Sequence, residues 1–198
     1  MSYSYNSYVY GRWIKWGVIA LVVIILAVSS ITTYNGLVTA DQNVQMQWSS
    51  VENMMQRRAD VISNQVEVVK GYMKHEEKVF SDIAAARAVL YDNYSDISSK
   101  IAADEQMAES GRRMLALVEN YPELKASELF ENLQIDIEGS ENRVAVARKD
   151  FIETVQAYNT KLVRFPGNIF ARLMGFEAKE YFKASPEAQQ TPRVDFGS

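Results

Sequence analysis

The sequence predicts an all-α fold: an N-terminal transmembrane helix, then an elongated antiparallel bundle of three long helices plus a short C-terminal helix. Three observations predict it. Trp13 to Ile31 is an apolar run whose single charge is Lys15. Beyond Asp41, apolar residues recur at steps of three and four, the spacing of helices that bury one face. No proline falls between Asp41 and Tyr94, and no segment carries a strand signal.

Composition narrows the function classes. A chain of 198 residues holds one domain plus an anchor, and the part beyond residue 40 is long enough to bury a core. The net charge is −4; Arg12 and Lys15 are the charges of the first 40 residues, so the remainder carries −6. An acidic domain is a poor nucleic-acid binder, because phosphate neutralisation needs basic surface. On the same grounds, attraction to anionic lipid is expected only from the anchor. The chain has no cysteine and one histidine, His75, which excludes disulfides, thiolate metal sites and thiol catalysis.

The transmembrane helix is assigned to residues 12–33. As a helix, the run Trp13–Ile31 spans about 28 Å, close to the hydrocarbon thickness of a bilayer. A cleaved signal peptide is the competing reading, with Ala27 and Ser29 spaced like a cleavage site, but the apolar stretch exceeds the usual signal core. Arg12, Trp13, Lys15 and Trp16 form the expected membrane interface: indoles favour the headgroup level and Lys15 snorkels outward. Arg12 and Lys15 flank the N-terminal end, so the positive-inside rule keeps the N-terminus cytoplasmic and exports the C-terminal domain. Residues 1–11 form a leader in which Tyr3, Tyr5, Tyr8 and Tyr10 alternate with small and polar residues. It reads as a disordered leader whose rings rest at the membrane surface, the alternative being a self-associating or interfacial tyrosine arm.

The bundle is assigned to residues 34–176. Val44, Trp48, Val51, Met55, Ile62, Val66, Val69, Met73, Phe80, Ile83 and Leu90 form one seam, a long amphipathic helix from Asp41 to about Tyr94. Gly71 is its weak point and reads as a site of close helix packing. Arg58, Glu76 and Arg87 occupy seam slots. A buried charge needs a partner, so these positions predict interhelical polar layers with carboxylates facing the arginines.

A second helix runs from Ile97 to about Glu119, with Met107, Met114, Leu115 and Val118 on its apolar side, and stops at Asn120-Tyr121-Pro122. The third starts near Lys125 or Ser127, with Ser127 as cap and Glu128 and Glu131 in the first turn, and reaches about Phe165. Its seam of Phe130, Leu133, Ile137, Ser140, Val144, Ala147, Phe151, Val155, Tyr158 and Leu162 is nearly heptad, which implies coiled-coil-like packing. Gly139-Ser140 thins the core there, and Glu141 is placed near Arg58 or Arg87. Asn168 to Phe176 reads as a short amphipathic helix. Residues 177–198 form an extended tail, pinned by Tyr181, Phe182, Val194 and Phe196.

Taken in order, YNGLV (34–38), QRRAD (56–60), VVKGYMKHE (68–76), ENYPELKAS (119–127), ENRVAVARKDF (141–151), FPGNIFARLMGF (165–176) and PRVDF (192–196) resemble the LemA family over nearly the whole chain after residue 33. The resemblance implies a bacterial membrane protein with a retained anchor, a helical bundle and no established biochemical activity. It also implies a short N-terminus outside the cell, opposite to the charge-based orientation. Ile62-Ser63-Asn64-Gln65 stands where the family carries a proline, so a kink is expected to be missing.

Catalytic signatures are weak. His75-Glu76 opens like a zinc-protease motif, but the second histidine position holds Val79. No glycine loop fits phosphate, and the clustered glutamates lack the histidines of a di-iron bundle. The expected protein is therefore non-enzymatic, without cofactor or metal. It is a self-assembling structural or interaction protein of the bacterial inner membrane, its exposed Met54, Met114 and Phe170 meeting other copies. The alternative is a monomeric adaptor for another membrane complex, recruiting its partner through a groove or the PRVDF tail. Expected partners are membrane lipid through residues 12–33, further copies of the chain or a membrane protein, and not nucleic acid.

Overall fold

A computed structural model of the chain describes residues 6–73 and 75–182. These residues form six helices, with no strand among them: α1 Asn6–Val69, α2 Glu77–Tyr91, α3 Ile97–Val118, α4 Pro122–Lys125, α5 Glu128–Val163 and α6 Gly167–Met174. The described residues fall into two units, 6–44 with 154–181, and 45–153 with Phe182.

The first unit holds the apolar run. α1 begins at Asn6, inside the segment expected as a leader, and continues without a break through Asn35-Gly36. Met1–Tyr5 lie outside the described residues. Trp13 and Trp16 are 74% and 67% exposed, and the aliphatic side chains between Val18 and Ile31 are exposed with them. The hydroxyls of Ser30 and Thr32 donate to the carbonyls of Leu26 and Val28 at 2.6 and 2.5 Å, which removes bare donors from an apolar surface. Past the run, Leu37, Ala40 and Val44 are buried, as are Val155, Tyr158 and Leu162 of α5. The chain after α6 is fixed to α5: the Tyr158 hydroxyl donates to the Glu177 carbonyl, and the Asn159 amide both donates to and accepts from the Lys179 backbone.

The second unit is an up-down-up-down bundle of α1, α2, α3 and α5. Gln56 donates to the Leu90 carbonyl, and Asp60 meets Arg87 and Tyr91, so α2 runs against α1. Glu52 with Lys100 and Arg58 with Asp104 set α3 parallel to α1. Gln65 with Asp136 and Trp48 with Phe151 set α5 antiparallel. The core joins Val51, Met55 and Ile62 to Ile83, Leu90, Met107, Met114, Leu133, Ile137 and Val144. Gly111 lets α3 approach, because a Cβ there would stand 3.1 Å from Ile62 Cδ1.

Four local expectations change. The 41–94 seam is divided: α1 ends at Val69, and a turn through Lys70-Gly71-Tyr72 leads towards α2. Gly71 is exposed with open space around it, so it serves the turn and not close packing. Met114 is fully buried and cannot present a contact face; Met54 and Phe170 are half-buried. The Ser127 hydroxyl turns back to donate to the Leu124 carbonyl at 2.6 Å instead of capping α5. The separate turn α4, with Pro122 at its start, precedes it. Of the tail, 177–182 is non-helical; the pins expected at Val194 and Phe196, and PRVDF itself, lie outside the described residues.

Candidate functional site

A charged layer crosses the second unit. Arg58 lies on the buried stripe of α1, between Met55 and Ile62, and is 5% exposed. Its Nη2 donates to Asp104 Oδ2 at 2.7 Å, and Arg148 Nη2 of α5 donates to the same oxygen at 2.7 Å. Two guanidiniums from two helices thus share one oxygen of a carboxylate on a third. Asp104 is fully buried, placed by the α3 stripe Lys100, Ala103, Asp104, Met107 and Gly111. Burial pushes the Arg58 guanidinium below its ordinary value; Asp104 opposes this and Arg148 adds to it. Burial likewise pushes the Asp104 carboxyl up, against the pull of Arg58 and Arg148.

The layer opens into a cleft of about 810 Å³. Besides the triad it is lined by Glu105, Gln106, Glu109, Arg112, Glu141 and Val144. Arg112 bridges Glu141 at 2.9 Å and Glu109 at 3.0 Å; burial alone would lower its pKa, and these two carboxylates outweigh it and raise it. Within the triad three buried atoms lack a hydrogen-bond partner: Arg58 Nε, Arg148 Nε and Asp104 Oδ1. All three atoms are themselves closed to solvent, so this unmet hydrogen-bonding capacity lies inside the layer. Arg148 also stacks on Phe182 at 5.3 Å, and Phe182 packs with Trp48 and Phe151.

The other sequence-level residues are dispersed. Glu141 lines the cleft with Arg58, but its ion pair goes to Arg112, not to Arg58 or Arg87. Arg87 is half-exposed and pairs with Asp60 at 3.0 Å, where Tyr91 also donates to that carboxylate. Glu76 accepts from Tyr121 at 3.2 Å at the far end of α3, and His75 is exposed in the α1–α2 connection. Trp13, Lys15 and Trp16 are exposed on α1, and the Arg12 side chain lies outside the description. Sequence reasoning missed Asp104 and Arg148. The signal for Asp104 was present, a carboxylate three residues before Met107 and seven before Gly111 on the small, apolar side of α3.

An all-helical bundle built on a buried arginine–carboxylate layer, entered by one helix long and apolar enough to cross a membrane, defines the class of protein. The model of the LemA family matches residues 47–196, and the chain belongs to that family. Among its relatives, Magnetosome protein MamQ of Magnetospirillum gryphiswaldense is 26% identical across 81% of this chain and 68% of its own length. Magnetosome protein MamQ 1 of Paramagnetospirillum magneticum is 24% identical over the same shares. Protein LemA of Metamycoplasma hominis is 25% identical across 78% of this chain and 69% of its own length.

Proposed function

We propose that this protein is a non-enzymatic, membrane-anchored structural or interaction protein of the bacterial cell envelope that self-assembles through its anchored copies. One observation carries the reading: the helix that supplies the buried Arg58 also carries the run Trp13–Ile31, whose apolar side chains are exposed. Such a run is stable in a bilayer and costly in water. The charged layer fits a structural role, because its ionic groups engage one another across helices. Cell fractionation tests the anchor. Full-length chain is expected to stay in the membrane pellet through an alkaline carbonate wash, and a chain starting at Asp41 to be released. Release of the full-length chain would contradict it.

One observation favours the adaptor reading. The cleft is lined by charged side chains, among them Glu105, Glu109, Arg112 and Glu141, which the polar groups of a partner would engage. Ala145, exposed at the rim, is the site to block. Under this reading Ala145→Trp abolishes capture of a membrane-protein partner while leaving the bundle folded; unchanged capture would remove it.

A further inference from the structure

We propose that the corner Lys161–Phe176, where α5 passes into α6, is a foot that rests on an anionic membrane surface beside the anchor. This rests on the reading of Trp13–Ile31 as the membrane span.

Position comes first. Tyr34 of α1 meets Phe176 edge-on, with ring centroids 6.3 Å apart, and Lys161 Nζ donates to the Gly36 carbonyl at 3.4 Å. Tyr34 and Gly36 follow Ile31 by three and five residues, so the corner meets α1 about 4.5–7.5 Å beyond the apolar run. The headgroup layer on each side of a bilayer is of that thickness, about 5–7 Å. The corner is therefore held at the level where the span leaves the hydrocarbon.

Its surface suits that level. α6 buries Gly167 and Ala171 and half-buries Phe170, but Ile169 is 54% exposed, Leu173 74% and Met174 53%, and Phe165 just before it is 81% exposed. Apolar residues gathered on one short segment mark a contact surface, and this is the composition of an interfacial helix. Lys161, Arg164 and Arg172 are exposed around them, and no acidic residue occurs from 161 to 176. In a chain of net charge −4, that local excess of three positive charges matches anionic headgroups. A foot here would add a second lipid contact to the anchor that the sequence leads one to expect. The three bases are spread among apolar residues, and their placement beside Tyr34 needs the fold. A lipid surface is favoured over a protein because the patch is continuous with the span and opposite in charge to the rest of the chain.

The absence of native cysteine permits single nitroxide labels on the full-length protein, in vesicles of phosphatidylcholine with about one quarter phosphatidylglycerol. Val22→Cys reports the span, Ile169→Cys and Leu173→Cys the foot, and Val146→Cys the water-facing side of α5. The ratio of oxygen to nickel-chelate collisions is expected to be highest at 22, several-fold above the value of 146 at 169 and 173, and back to that of 146 when Arg164→Glu and Arg172→Glu are added. A deep label at 22 with 169 and 173 as aqueous as 146 would overturn the foot and leave the anchor standing. Labels at 169 and 173 shielded from both reagents would assign the patch to a protein neighbour, which also overturns it. An aqueous label at 22 would remove the anchor reading, and the foot with it.

Discussion

Asp104, itself fully buried, shares its Oδ2 between the buried Arg58 and the part-exposed Arg148. Removing that carboxylate leaves Arg58 buried without its counter-charge, and breaking a buried pair from one side costs about 3–5 kcal/mol. Asp104→Leu is therefore expected to lower unfolding free energy by about that amount in urea titration. Adding Arg58→Met and Arg148→Met to the same chain is expected to recover most of the loss, because an apolar layer of similar volume needs no compensation. If the triple variant were no more stable than Asp104→Leu, the charges would not be the origin of the cost. At this scale the sequence revealed one half of the layer. Arg58 was marked by its place between Met55 and Ile62, but its partner could not be chosen. Glu141, Asp104 and Glu105 all lie on helices facing it, and selection depends on rotation about α3 by a single residue. Arg148 escaped notice because it lies beside the α5 seam, next to Ala147.

Among the elements, the corner before α6 is the tightest. A Cβ on Gly167 would fall 2.2 Å from the Lys161 carbonyl oxygen, and backbone yields only by moving the corner. Gly167→Ala is expected to cost about 1–3 kcal/mol, as overpacking does. Gly111→Ala meets only the end of the Ile62 side chain and regains about 1 kcal/mol of helix propensity, so it is expected to be near neutral. Paired urea titrations check the order. The N-terminus of α3 gives a pH test. Asp96 accepts from the Ser99 N–H at 2.6 Å, which holds its carboxyl below the usual range. A depressed folded value means a contribution present above about pH 4 and lost as the pH falls through the folded value. Asp96→Asn keeps an acceptor without a charge, so its stability is expected to fall less than wild type between about pH 5 and pH 2. The long seam of α5 was legible because Leu133, Ile137, Val144, Phe151, Val155 and Tyr158 keep helical spacing to the end, and all are buried. The α1–α2 break was not. Met73 in the turn is as buried as Val69 and Ile83, so apolar spacing continues while the chain reverses, and periodicity alone reads straight through.

At the scale of the whole molecule, the LemA-family chain carries an exposed apolar run and a bundle whose charged layer pairs residues of three helices beside an open cleft. Within the bundle, Phe182 packs against Trp48, Phe151 and Arg148. Phe182→Ala is expected to red-shift Trp48 emission in a Trp13→Phe, Trp16→Phe background, since the indole loses a ring that shields it; an unchanged spectrum would detach Phe182 from the core. The proposed self-assembly loses Met114 as an expected contact, because the residue is interior, and would rest on an anchor that concentrates copies in one membrane. The most direct measurement is the native mass of the full-length protein in mild detergent, beside a chain starting at Asp41. The expected result is a discrete multimer that becomes monomeric when the apolar run is removed. A full-length protein that stays monomeric would contradict the self-assembling scaffold and leave the bundle as an adaptor.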